Sequence, residues 1–263
     1  MAGRGEYSVV QIVAVRGWII VALLTLWVPR TGGFGALRMR LPLAHMGRIA
    51  CGFGAMFCFF SSLKTLPLAD ATVIFFGATF MMTALSAVAL GERVGIHRWG
   101  AVVIGFAGVY VAARPGGSVI GPGALYAVAA SLCYALLMLS GRWLGRTEPV
   151  FRMVFYYNVG TAFLASLFLP FGWQPMGDAQ MGMIVITAVL GLASHVFITR
   201  AFIAAPVGVI APFEYSAIIW AALIGFVVWG DVPADHVYLG ASIIILSGLY
   251  VVRREAFLAR RLA

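Results

Sequence analysis

Charged residues make up only 10% of this 263-residue chain, against 62% hydrophobic residues and a mean hydropathy of +1.00. Soluble domains carry roughly a quarter of their residues as charges, so an ordinary soluble fold is excluded. The apolar runs reach the roughly twenty residues that a bilayer crossing demands. No stretch between them is long enough to form a separate domain. Cysteine is also scarce: Cys51, Cys58 and Cys133 all fall inside apolar segments, where cysteine acts as a small packing residue. Neither a disulfide framework nor a zinc-ligand spacing is present. Nor is there an HExxH metal motif, a paired-carboxylate motif or an intramembrane Ser/His/Asp set. The sequence therefore predicts no enzyme, no metal and no cofactor. A net charge of +9 would suggest nucleic acid in a soluble protein, but here the arginines sit in short loops between apolar spans and read as topology signals. No nucleic-acid partner is expected.

What the chain does contain is a stretch of about fifty residues written twice, near Leu66 to Arg114 and near Ala205 to Arg254. Each copy opens on a proline (Pro67, Pro206), reaches a glycine followed by an acid (Gly91-Glu92, Gly230-Asp231) and passes a histidine (His97, His236). Each closes on a related segment, Gly108-Val-Tyr-Val in the first and Gly248-Leu-Tyr-Val in the second, with the spacing slipping by a single residue. Both copies consist of two membrane-length segments, which is the pattern of a duplicated transport unit.

Apolar runs read against their Pro and Gly punctuation give helices near 8–28, 43–63, 68–91, 98–114, 122–143, 150–170, 180–202, 207–229 and 236–253. The fold class is thus all-α, a polytopic membrane bundle of about nine spans. Threaded alternately through a bilayer, one side collects most of the arginines, among them Arg48, Arg142, Arg152 and Arg253, while the other receives Arg4, Lys64 and Arg114. The arginine-rich side is the cytoplasm by the positive-inside rule, placing the C-terminus inside and the N-terminus outside. Segments 68–91 and 207–229 then enter from opposite sides, an inverted-topology repeat. A signal peptide is disfavoured at the start, because Arg16 interrupts the apolar stretch and Val28-Pro29-Arg30 is no small-residue cleavage site.

The segments Leu66-Pro-Leu-Ala-Asp-Ala-Thr-Val-Ile-Phe-Phe76, Leu90-Gly-Glu-Arg-Val94, Ala211-Pro-Phe-Glu-Tyr215 and Leu249-Tyr-Val-Val-Arg253 resemble the EamA-type members of the drug/metabolite transporter superfamily. The resemblance covers nearly the whole chain and implies two inverted five-helix repeats. Residues 1–116 would form the first repeat with four helices, and 117–263 the second with five. Only the helix at 8–28 precedes residue 43, where the second half has two counterparts, so the first helix of the family pattern is expected to be missing. A start site lying upstream and a truncated chain both account for that.

A secondary transporter needs a midplane cavity with polar groups whose pairing differs between its two states. The candidates are polar side chains at depth. Arg16 and Asn158 each lie about 12 Å from a membrane surface at a rise of roughly 1.5 Å per residue. Arg16 either snorkels to the interface or serves as counter-ion for a substrate carboxylate or phosphate, or for Glu214. Glu214 shares a face with Ala217, Ala221 and Gly225; it is a structural glutamate or the acid of a proton-coupling step. Tyr157 and its neighbour Tyr156 form an aromatic cluster with Asn158. His195 pairs with an acid, shuttles a proton or bonds a backbone carbonyl. Phe75 occupies the repeat position of Glu214 and is a cavity-wall candidate. The acids of Gly91-Glu92 and Gly230-Asp231 read as helix-end caps.

These residues predict an inner-membrane permease or exporter of a small organic metabolite, such as an amino acid, a vitamin or a drug-like compound, working by alternating access. Its partners would be that substrate, the lipid bilayer and protons, and a homodimer would cover a face left open by a missing helix. The competing reading is a membrane interaction or regulatory protein that kept the fold and lost the transport cycle.

Overall fold

A computed structural model describes residues 7–31, 33–89, 95–113, 121–171, 173–205, 210, 213–214, 216–230 and 232–262. Among them the chain forms ten α-helices and no strands: α1 Val9–Trp27, α2 Pro42–Ser62, α3 Leu68–Phe75, α4 Gly77–Ala89, α5 Ile96–Ala113, α6 Pro122–Leu144, α7 Val150–Ser166, α8 Asp178–Ala204, α9 Ser216–Trp229 and α10 Asp235–Leu262. Six stretches are long and apolar enough to cross a membrane: Val9–Arg30, Pro42–Ser62, Leu68–Ala89, Pro122–Leu144, Asp178–Ala204 and Asp235–Arg254. Ile96–Ala112 and Ser216–Trp229 are shorter apolar helices. This is a polytopic helical bundle, as the composition requires.

The chain divides into two compact units, each drawing on both ends of the sequence: Met1–Phe57 with Ser140–Ala204, and Cys58–Leu139 with Ala205–Ala263. Helices α2 and α6 run through the boundary and contribute to both.

In the first unit, α1 packs on α7 along a stripe of small residues. Val13, Ala14, Gly17, Ile20 and Leu24 are buried on α1, and Val154, Asn158, Thr161, Ala162 and Ala165 on α7. Both sets recur at three- and four-residue intervals, which places them on one helical face. A Cβ on Gly17 would lie 2.7 Å from that of Ala162, so the close approach depends on the glycine. The start of α1 is capped by the Ser8 hydroxyl, which accepts from the Gln11 amide at 3.2 Å. The fully buried Gln11 side chain then accepts from Gln174 N–H at 3.1 Å and donates to Gln174 O, tying the connector before α8 to the helix.

In the second unit, α5 and α10 make the closest helix pair. A Cβ on Gly240 would stand 2.6 Å from the Gly108 carbonyl oxygen and 2.7 Å from Ala112 Cβ. Around this contact Val102, Val109, Ala112, Val237 and Ile244 join Val73, Ile74, Phe76, Phe80 and Ile218 in one apolar cluster.

The segment expected as one helix over 68–91 is interrupted. Phe76 separates α3 from α4, its N–H donating back to Thr72 O at 3.0 Å while its carbonyl accepts from Thr79 N at 3.1 Å. An interruption at membrane depth exposes carbonyls that a lipid environment cannot satisfy. Ser131 of α6 stands at the break: its hydroxyl lies 3.2 Å from Ile74 O and 2.9 Å from Ala127 O of its own helix, and its single proton serves one of them at a time. Gly230 ends α9 with φ of 70°, the left-handed conformation that favours glycine, and its N–H reaches Phe226 O at 2.9 Å. That agrees with a helix-end role for this glycine; Asp231 and the Gly91-Glu92-Arg93 segment lie outside the described residues.

Candidate functional site

Four of the six residues singled out in the sequence meet in the first unit. Tyr157 and Asn158 are adjacent on α7, His195 is on α8 and Arg16 on α1. Asn158 is buried, and its Nδ2 donates to Val154 O at 2.8 Å within its own helix. The same amide lies 3.5 Å from His195 Nδ1. With Nδ1 as acceptor, the proton of a neutral His195 sits on Nε2. That nitrogen is buried and has no hydrogen-bond partner among the described residues. The Tyr157 ring meets the imidazole edge to face, 4.5 Å between centroids.

Two guanidinium groups complete this cluster. Arg16 reaches Met56 Sδ at 3.9 Å, a weak polarizable contact, and no acid among the described residues forms an ion pair with it. Gly191 lies beside the Arg16 head, and a Cβ there would stand in ordinary contact with Nη1 at 3.5 Å. The second cation, Arg48, was counted in the sequence only toward membrane orientation. It is instead 2% exposed, inside α2, with its Cζ 5.9 Å from the Tyr157 ring centroid. Both arginines act electrostatically on Tyr157 and His195. Glycines shape the space around them: a Cβ on Gly141 would fall 2.5 Å from Arg48 Nη1, and one on Gly52 would fall 2.1 Å from Tyr157 Cε2. The place of Arg48 near the start of an apolar helix gave no sequence signal beyond a topology charge.

The other two candidates, Glu214 and Phe75, meet in the second unit. Tyr134 of α6 joins them: its hydroxyl donates to Glu214 Oε1 at 2.7 Å, and its ring lies 5.0 Å from that of Phe75. Phe59 adds a further ring 5.1 Å from Phe75. Glu214 precedes the first residue of α9 by two positions, while Phe75 is the last residue of α3. Both therefore sit at helix ends in apolar segments. Tyr134 was not singled out in the sequence, since one tyrosine in an apolar helix is ordinary packing.

Outside the spans, Glu148 anchors the turn between α6 and α7. It is 3% exposed, its Oε1 accepts from Arg40 N at 3.0 Å, and its Oε2 accepts from Arg152 Nη1. His45 Nε2 lies 4.0 Å from Oε1. Burial pushes the carboxyl upward, but the hydrogen bonds from Arg152 and the Arg40 amide, with the charges of Arg152 and His45, outweigh it and hold Glu148 below the usual carboxylate range. This cluster is closed on itself and reads as structural. Among the described residues no group of three or more His, Cys, Asp or Glu side chains is placed to hold a metal ion.

Residues 2–114 match the EamA-like transporter family. That similarity covers less than half of the chain. The chain is 26% identical to a riboflavin transporter of Rhizobium johnstonii over 85% of its length and 74% of the relative's. It is 24% identical to an S-adenosylmethionine uptake transporter of Rickettsia prowazekii, over 85% and 76%. A pseudopaline exporter of Pseudomonas aeruginosa is 25% identical over 90% and 84%. A solved crystal structure superposes with a TM-score of 0.73 at 23% identity, covering 99% of this chain and 92% of that one, which speaks for the shared fold. Similarity to a transporter family and the apolar helices together support a multi-pass membrane protein.

Proposed function

We propose that this protein carries a small organic metabolite bearing an anionic group across the inner membrane by alternating access. The observation that carries the proposal is the cluster of Arg16, Arg48, Tyr157, Asn158 and His195 in the first unit, with the buried Nε2 of His195 lacking a partner among the described residues. Two guanidinium groups favour a carboxylate or phosphate, since charge-assisted hydrogen bonds are the strong ones in a low-dielectric site. Nε2 of His195 supplies a further donor, and the Tyr157 ring offers a face for a flat or apolar part of the substrate. Coupling to protons falls to Glu214, whose carboxyl exchanges the Tyr134 hydrogen bond when it changes protonation state. The two copies at 66–114 and 205–254 supply the inverted repeats whose rocking exposes the site alternately. The relatives support a small-metabolite cargo and include both an uptake transporter and an exporter, so either direction fits the family.

The test is transport into proteoliposomes with a panel of labelled metabolites that differ in charge. Anionic and zwitterionic metabolites are expected to compete with one another for uptake, and cations lacking an anionic group to compete poorly. Equal competition by such cations overturns the anion reading. Absence of any transport from an otherwise folded, reconstituted protein overturns the transporter reading.

A further inference from the structure

Away from the polar clusters, a groove of about 480 Å³ runs along the outer side of α5 and α10, within the second unit. Gly100, Ala101 and Ile104 line it from α5, and Ile243 and Leu246 from α10. Ile104 and Leu246 are 53% and 66% exposed, so little among the described residues covers them. The groove follows α5 from Ile96 to Ile104, roughly 12 Å at the helical rise. That length accommodates part of a lipid acyl chain.

One end of the groove is polar. His97 Nδ1 and the Tyr250 hydroxyl hydrogen-bond at 2.8 Å across the two helices and close it. Arg98 follows His97 directly, and Arg253 and Arg254 lie three and four residues past Tyr250, on the same side of α10. From Arg253 to Arg261 the sequence holds four arginines against one glutamate. Trp99, 39% exposed, stands beside Arg98, the pairing of an indole and a cation that marks a membrane interface. An apolar slot open along one side, with three arginines beside its polar end in the sequence, is complementary in shape and charge to one class of molecule.

We propose that this groove is a binding site for an anionic phospholipid, with an acyl chain along Gly100, Ile104, Ile243 and Leu246 and the phosphate headgroup held by Arg98, Arg253 and Arg254. The His97–Tyr250 pair stands between the two parts, where the glycerol esters offer acceptors.

The purified full-length chain is to be examined by native mass spectrometry and by thermal unfolding in detergent, with phosphatidylglycerol or phosphatidylcholine added. The wild type is expected to retain phosphatidylglycerol and to gain more in Tm from it than from phosphatidylcholine. Arg98→Gln/Arg253→Gln/Arg254→Gln is expected to lose that preference while keeping its helical circular dichroism. Gly100→Leu tests the acyl seat independently: a Cβ there has nothing within 4 Å, so the variant folds, yet its side chain fills the groove. It is expected to lose retention of the lipid. Equal shifts from the two lipids on the wild type, or an unchanged preference in the triple variant, would overturn the proposal. So would photo-crosslinking from Leu246 that yields a dimer and no lipid adduct, because a second copy would then cover the groove.

Discussion

The hydroxyl of Tyr134 and the carboxylate of Glu214 are joined by a 2.7 Å hydrogen bond, and the same tyrosine ring packs 5.0 Å from Phe75. Glu214 and Phe75 each stand eight residues past the opening proline of their sequence copy, Pro206 and Pro67. One residue of α6 thus touches both members of a repeat-related pair, one charged and one aromatic.

Glu214→Gln keeps the shape and the ability to accept from Tyr134 but cannot release a proton. In proteoliposomes this variant is expected to lose accumulation driven by a pH gradient while retaining substrate exchange at equal pH. Loss of both would assign Glu214 to substrate binding or folding instead of coupling. Tyr134→Phe, which removes a hydrogen bond to a carboxylate worth about 1.5–3 kcal/mol, is expected to shift the pH profile of transport without abolishing exchange.

Gly52 is needed for the Tyr157 ring, because a Cβ there would lie 2.1 Å from Tyr157 Cε2. Gly52→Val is therefore expected to displace the ring from His195 and raise KM about tenfold or more, the cost of losing one good contact of about 1.4 kcal/mol. A matched Gly47→Val in the same helix, where a Cβ has nothing within 4 Å, is expected to leave KM unchanged.

Much of the membrane architecture was legible because it rests on composition. Long apolar runs with Pro and Gly between them give helices within a few residues of those observed, as at α1, α2 and α6. The break at Phe76 was not legible. The run from Leu68 to Ala89 is apolar on average, with a mean hydropathy of 1.8, and hydropathy carries no record of which carbonyls lose their partners. The serine whose hydroxyl reaches Ile74 O is 57 residues away, a tertiary fact.

The polar cluster was half legible for a related reason. Arg16, Asn158 and His195 stand out as polar residues at depth in apolar segments. Arg48 lies only six residues past the start of α2, and a charge near a helix end reads as a topology signal. Its burial follows from Gly141 of α6 leaving room for the guanidinium, which no local pattern records. The partners of His195, Asn158 and Tyr157, were likewise set by how α7 packs on α8.

Glu148 sets the acid limit of stability at the α6–α7 turn. Its folded-state value is depressed, so its contribution is present above the unfolded glutamate value and is lost as pH falls through the folded value. Comparing thermal unfolding of wild type and Glu148→Gln in detergent from neutral pH downward, the advantage of the wild type is expected to be full at pH 7. It is expected to shrink below the ordinary glutamate range near pH 4, and a constant difference across the series would remove Glu148 from this role.

Gly240→Ala tests the α5–α10 seam. The added methyl would meet Gly108 O at 2.6 Å and Ala112 Cβ at 2.7 Å, so backbone must move. Overpacking of this kind costs about 1–3 kcal/mol, and a lower Tm is expected despite the gain in intrinsic helix propensity. An unchanged or higher Tm would show that the two helices do not approach this closely in the bilayer.

The central claim is that Arg16, Arg48 and His195 bind the anionic part of a transported metabolite. Its most direct test is the affinity for a transported metabolite of purified wild type, Arg16→Gln, Arg48→Gln and His195→Ala, measured by calorimetry on samples matched for helicity and Tm. The account predicts that each variant stays folded and loses about tenfold or more in affinity, the usual worth of a hydrogen bond to a charged group. Wild-type affinity in all three variants would contradict it and move the substrate site elsewhere.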